Sequence, residues 1–152
     1  MSTDSLVVRK SVTVPLSADR AFELFTSRMT EFWPKSHSIG AVPLAEAVVE
    51  PHAGGRWYER GADGSECSWG RVTVWEPPTR LVLLWQIDAS FKFDPDLETE
   101  VEITFTEEGG ATRVDLVHRD LERFGDQAFA VRDTFDSPGG WPGILDAYVA
   151  AA

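Results

Sequence analysis

Of the 152 residues, one is a cysteine, three are lysines and none is an asparagine. The lone Cys67 excludes an internal disulfide and agrees with a reducing compartment. Basic residues are scarce: 14 Lys+Arg against 25 Asp+Glu leave a formal charge of −11. The summed field of such a chain repels phosphate backbones and anionic lipid headgroups, so neither nucleic acid nor a membrane surface is an expected partner. No apolar run approaches the roughly 18 residues of a membrane helix, and Met1 to Ser5 lack the basic start and apolar stretch of a secretory leader, so a cytoplasmic location is expected. Eleven arginines to three lysines, with no asparagine, point to a GC-rich bacterial genome. What the chain has in surplus is aromatic area, six Trp and nine Phe. In a domain this small those rings must fill a core or line a pocket.

The spacing of apolar residues gives one α+β domain over residues 1–152. Leu6 to Val14 alternates as a half-buried strand that Pro15 ends. Ser17 is a good N-cap, and Ala18, Ala21, Phe22 and Phe25 predict an amphipathic helix to about Arg28, followed by a short turn from Thr30 to Trp33. Turn residues then punctuate six further runs: Ala47–Glu50, Arg56–Arg60, Glu66–Glu76, Arg80–Ile87, Thr99–Thr106 and Thr112–Arg119. Short turns between them imply antiparallel pairing, making a seven-stranded sheet with one wet and one dry face. The row Glu98, Glu100, Glu102 and the pair Glu107-Glu108 belong to the wet face and its turn. Leu121 to Asp136 is mixed and reads as loop with a helical turn. Trp141, Ile144, Leu145, Tyr148 and Val149 then form an apolar helical stripe, with Pro142 in the first turn, that must lie on the dry face of the sheet.

Gly54-Gly55-Arg56-Trp57-Tyr58-Glu59, Gly70-Arg71-Val72, Trp75-Glu76-Pro77-Pro78, Arg80-Leu81-Val82-Leu83 with Trp85, Gly110 to His118 and Gly139-Gly140-Trp141 together resemble the family named for the activator of heat-shock protein 90 ATPase, within the START (SRPBCC, birch-pollen-allergen-like) superfamily. The resemblance spans nearly the whole chain. It implies a helix-grip fold, in which a curved antiparallel sheet with two short helices after the first strand wraps a long C-terminal helix over a cavity. The family brings no fixed catalytic set. The eukaryotic activator couples such a domain to a second one that these 152 residues do not contain, so chaperone activation is not the expected role.

The chemistry-bearing candidates follow from strand parity. Trp33, Trp57, Trp69, Trp85 and Trp141, with Tyr148, are candidate cavity walls, Trp57 and Trp85 foremost; each is also explained by simple core packing. Arg71 shares parity with Trp69 and, if inward, could fork onto a ligand carboxylate; a bulge near Trp75 would turn it out to solvent. Glu59 shares parity with Trp57; inward, it pairs with an arginine such as Arg71 or sits partly desolvated with a raised pKa, and outward it makes a surface salt bridge. His118 is expected inward beside the terminal helix, as a buried hydrogen-bonded imidazole or as an acid–base group. His37 and His52 read as surface loop residues. His37, His52, Cys67 and His118 lack metal-ligand spacing, and no nucleophile elbow, dinucleotide fingerprint or phosphate loop is found, so no metal or other cofactor is expected. The leading expectation is a binder of a small, largely apolar molecule held between sheet and terminal helix. The alternatives are a cyclase, aromatase or hydrolase using His118, Glu59 and Arg71, or a protein-interaction module. Edge strands leave room for a homodimer.

Overall fold

A computed structural model describes residues 6–152. The leader expectation for residues 1–5 lies outside them. β1 (Val8–Val14) leads to α1 (Ala18–Phe25), a 3-10 turn at Met29–Glu31, and then β2 (Leu44–Val49), β3 (Arg56–Gly61), β4 (Glu66–Glu76), β5 (Arg80–Trp85), β6 (Thr99–Glu108) and β7 (Ala111–Arg119). A 3-10 segment at Leu121–Gln127, α2 (Ala128–Phe135) and α3 (Trp141–Ala151) complete the chain. All seven strands form one antiparallel sheet in the order β1-β7-β6-β5-β4-β3-β2. It curves as a half-barrel around α3, the helix-grip arrangement.

Local chemistry sets the element limits. Ser17 Oγ accepts the Arg20 N–H at 3.3 Å and caps α1. The helix stops at Phe25, short of Arg28, because Thr26 leaves helical geometry: its N–H is shared between the Phe22 and Glu23 carbonyls, and the Arg28 N–H also turns back to Glu23, out of the i→i−4 ladder. Ala21, Phe22, Leu24 and Phe25 are buried. On β6, Val101, Ile103 and Phe105 are buried, while Glu102 accepts hydrogen bonds from Arg80 and Arg119 on the opposite face. That dry face and the apolar stripe of α3 close on each other, with Trp141, Ile144, Leu145 and Tyr148 all buried. Tyr148 seals its end of the core by packing edge-on to Phe25 and Phe32 and donating its O–H to the Ala21 carbonyl at 2.8 Å.

Two departures from the sequence reading shape the site. Residues 121–136, expected to be loop with a helical turn, carry a 3-10 segment and two turns of α-helix, whose Phe135 packs on Trp85 and His118 of the sheet. β4 also carries two bulges, between its pairings with β3 at Trp57/Tyr58 and with β5 at Val72/Val74. At the first, Ser68 opposes Tyr58 and Gly70 opposes Trp57, so Trp69 is the extra residue and both Trp69 and Gly70 turn inward. A methyl group on Gly70 would sit 1.7 Å from the Leu84 carbonyl oxygen, which explains a glycine in the middle of a strand.

Candidate functional site

Strand pairing places Trp57, Gly70 and Trp85 side by side on the dry face. Either side of Gly70, the indoles of β3 and β5 meet with ring centres 5.7 Å apart. Trp33 joins from the segment after the Met29–Glu31 turn, 4.9 Å from Trp69 and 6.0 Å from Trp57, and Trp141 joins from α3, 5.8 Å from Trp85. Five of the six tryptophans are thus one connected cluster; Trp75 packs separately on Phe22.

The cluster has an open side. Where the first turn of α3 meets the ends of β4 and β5, a cleft of about 280 Å³ is walled by Trp33, Trp69, Trp85, Trp141, Phe135 and Ile144. Its mouth is formed by Ser36 to Ile39 on one side, Ile87 and Phe91 on another, and the Thr134–Gly140 turn on the third. Trp33 Nε1 donates to the His37 carbonyl at 3.0 Å, and the His37 ring lies 2.7 Å from the Gly139 carbonyl through Nε2. A carbonyl only accepts, so Nε2 carries the proton and Nδ1 accepts the Ser36 hydroxyl at 3.2 Å. This ties the segment after Trp33 to the turn before α3. That turn passes so close to α2 that a Cβ at Gly140 would lie 2.3 Å from the Phe135 carbonyl oxygen.

Glu59 stands behind the cleft wall, with 1% of its surface exposed. Its Oε1 accepts Ile39 N–H at 2.6 Å and Trp69 Nε1–H at 2.9 Å; its Oε2 accepts the Ser38 hydroxyl at 2.6 Å and Gly40 N–H at 3.3 Å. Four donors in place of a cation satisfy this buried carboxylate, and three of the residues they belong to line the cleft. Cys67 faces the same carboxylate; burial first, and then the Glu59 charge, push its thiol pKa up, so it is a poor nucleophile.

His118 lies one layer deeper and is fully buried. Trp141 Nε1–H donates to its Nδ1 at 3.1 Å, so the ring proton is on Nε2 and goes to Thr99 Oγ1 at 2.9 Å. The Thr99 hydroxyl in turn donates to the Trp85 carbonyl at 2.9 Å, and Phe135 stacks on the imidazole at 4.9 Å. Every polar atom in this chain is used. Burial drives the imidazole pKa from 6.5 to about 3, which keeps the ring neutral.

Among the residues singled out from sequence, Trp33, Trp69, Trp85 and Trp141 border the cleft. Trp57, Glu59, His118 and Tyr148 are buried behind it. Arg71 points away, because the Trp69 bulge reverses parity at that point, and it pairs with Glu98 on the outer face. His118, Glu59 and Arg71 therefore do not converge on a common space, and the cleft lies at the first turn of α3, where Trp141 and Ile144 line it. His37, expected on the surface, is half-buried in the cleft wall. Ser36, Ile39, Ile87, Phe91 and Phe135 were not anticipated. Phe135 had a readable signal: Phe124, Ala128, Val131 and Phe135 recur at helical intervals, interrupted in the structure only by the positive-φ Gly125. Among the described residues no group of three or more His, Cys, Asp or Glu could hold a metal, and no helix is long and apolar enough to cross a membrane.

Comparison with solved structures finds the same architecture in an anthrahydroquino-gamma-pyrone synthase, Txn09, complexed with SUM, at 40% identity over 96% of both chains with a TM-score of 0.68. CalC from Micromonospora echinospora, described as a self-sacrificing resistance protein, is 33% identical over 95% of this chain and 92% of its own, with a TM-score of 0.71. The Aha1 dimer from Colwellia psychrerythraea shares the fold at 13% identity, with a TM-score of 0.61 over 95% of this chain and 94% of its own. No curated protein matches significantly. The family described as Activator of Hsp90 ATPase homolog 1-like protein matches residues 15–150. With nearly the full length matched and the fold in agreement, the chain belongs to the Activator of Hsp90 ATPase homolog 1-like family.

Proposed function

We propose that the chain binds a flat, largely apolar, multi-ring aromatic molecule in the cleft between Trp33, Trp69, Trp85 and Trp141. One observation carries this reading: four indoles and Phe135 line an open space of about 280 Å³ at the start of α3. The rings pack on one another and still leave this space beside them, so a planar guest entering it would meet indole and phenyl surface. Burial supplies affinity at about 25 cal/mol per Å² of apolar surface, and the Ser36 oxygen, left as an acceptor once its hydroxyl donates to His37, orients the guest. The likeness to a synthase of a fused aromatic pyrone supports the same ligand class. Titration with anthraquinone, followed by tryptophan emission, tests it: saturable quenching that is weakened in Trp85→Ala is the expected result, and no quenching at the solubility limit removes the proposal.

A second reading, a ring-closing enzyme, is favoured by the 40% identity to that synthase. Its proton-transfer group would be His37, the imidazole that borders the cleft, and not the buried His118. Chromatography of an anthrahydroquinone carrying an open side chain, incubated with the protein, checks this. A ring-closed product that His37→Ala abolishes supports the reading, and an unchanged substrate rejects it.

A further inference from the structure

A second hollow of about 260 Å³ adjoins the indole cleft, and the two share Trp85, Ile87, Phe91, Thr134 and Phe135 as a common wall. Each alone is slightly smaller than the roughly 300–1,000 Å³ typical of small-molecule sites, and joined they fall within that range. Their chemistry differs. The first is bounded by indoles and serines, the second by Phe124, Val131 and Ala130 together with Asp88 and Gln127. Among the described residues no Lys or Arg lines either space, and Asp88 is the one carboxylate that does.

Asp88 is half-buried at the start of the loop that carries Phe91. Its Oδ1 is used inside the loop, accepting Ser90 N–H at 2.9 Å and Lys92 N–H at 3.0 Å. Oδ2 receives no hydrogen bond from the described residues and is available to a guest. Thr134 also lines the second hollow; its O–H donates back to the Ala130 carbonyl at 3.0 Å, so its oxygen too is left as an acceptor. The Asp88 charge and the Thr134 oxygen favour a donor, the Gln127 amide can serve either sense, and with no cation in the lining the balance is against an acid, the chain charge of −11 acting in the same direction.

We infer that the two hollows are halves of one binding site, and that the second takes a hydrogen-bond-donating tail, neutral or cationic, carried by the aromatic ligand whose rings occupy the first. The inference rests on the aromatic-cleft reading above and adds the ligand's length and charge preference.

Three probes with one ring system test it by quenching titration: anthraquinone, 1-(2-aminoethylamino)anthraquinone, and an anthraquinone bearing a propionate tail of similar length. The amine-tailed probe is expected to bind about tenfold more tightly than the acid-tailed one, the scale of one charge-assisted hydrogen bond. Ala130→Trp fills the second hollow from an exposed helix position, and Asp88→Asn keeps the Oδ1 acceptor that shapes the loop. Each is expected to reduce the preference for the amine severalfold or more, with anthraquinone binding unchanged. Equal binding of the two tailed probes by the wild-type chain overturns the inference and leaves the aromatic-cleft reading standing. If Ala130→Trp weakens anthraquinone as much as the tailed probe, the division of the site into two halves is wrong. Failure of all three probes to bind overturns both readings together.

Discussion

Trp141 Nε1 donates to Nδ1 of His118 across 3.1 Å, and that bond fixes the imidazole as the neutral Nε2–H tautomer. A proton arriving at Nδ1 would set two donors face to face and break the link between α3 and β7.

Acid sensitivity follows. The folded pKa of His118 lies near 3, below its ordinary 6.5, so the unfolded chain takes up a proton that the folded chain refuses. Its stabilising effect is complete above pH 6.5 and is lost as pH falls from there toward 3, at about 1.4 kcal/mol per pH unit in mid-window. Urea midpoints between pH 7 and 5, where most carboxylates have yet to titrate, should fall in the wild type; in His118→Gln the fall should be shallower by the contribution of one proton.

Glu59→Gln should destabilise the fold by about 1–3 kcal/mol, because the amide turns a donor toward Ile39 and Trp69 on one side or toward Ser38 and Gly40 on the other. Since these residues form the cleft wall, the same variant should bind anthraquinone less tightly. Chemical denaturation and quenching titration measure the two effects separately.

Gly70→Ala should cost about 3 kcal/mol or more, since the new methyl meets a backbone carbonyl that no rotamer change can move. A drop in soluble yield and melting temperature is expected. A variant that melts like the wild type would show that the β4 bulge lies elsewhere.

Phe91 is 69% exposed at φ 62°, an uncommon backbone conformation for a bulky residue, and it borders both hollows. Phe91→Ala should leave unfolding free energy within about 1 kcal/mol of wild type, because little of its surface is buried. Affinity for the amine-tailed anthraquinone should fall several-fold, and isothermal titration would measure the change.

The fold was legible because the residues that set it speak through period and punctuation. Val101, Ile103 and Phe105 alternate cleanly, and the Trp141 to Val149 stripe has one partner surface available. The site was half legible. Trp33, Trp69, Trp85 and Trp141 could be picked as ring-bearing residues near the sheet, but which rings meet open space depends on the Trp69 bulge and the gap at Gly70. Neither a bulge nor the direction it imposes on Arg71 is written in hydrophobic period. The place of His37 beside the cleft was not legible for a related reason: its position comes from a long-range bond to the Gly139 carbonyl, 102 residues away in sequence, and no local pattern carries that.

Helix α3 is held at both ends, by Trp141 on His118 and by Tyr148 on the Ala21 carbonyl. A rod pinned twice neither slides nor tilts without breaking a buried bond, so the floor beneath a guest is rigid. Accommodation to guests of different outline must come from the rim, where most residues of Ser36–Ile39, Asp88–Phe91 and Thr134–Gly140 are half-buried or exposed. Diversification of ligand preference among related chains is therefore expected in those three segments, with the indole floor unchanged.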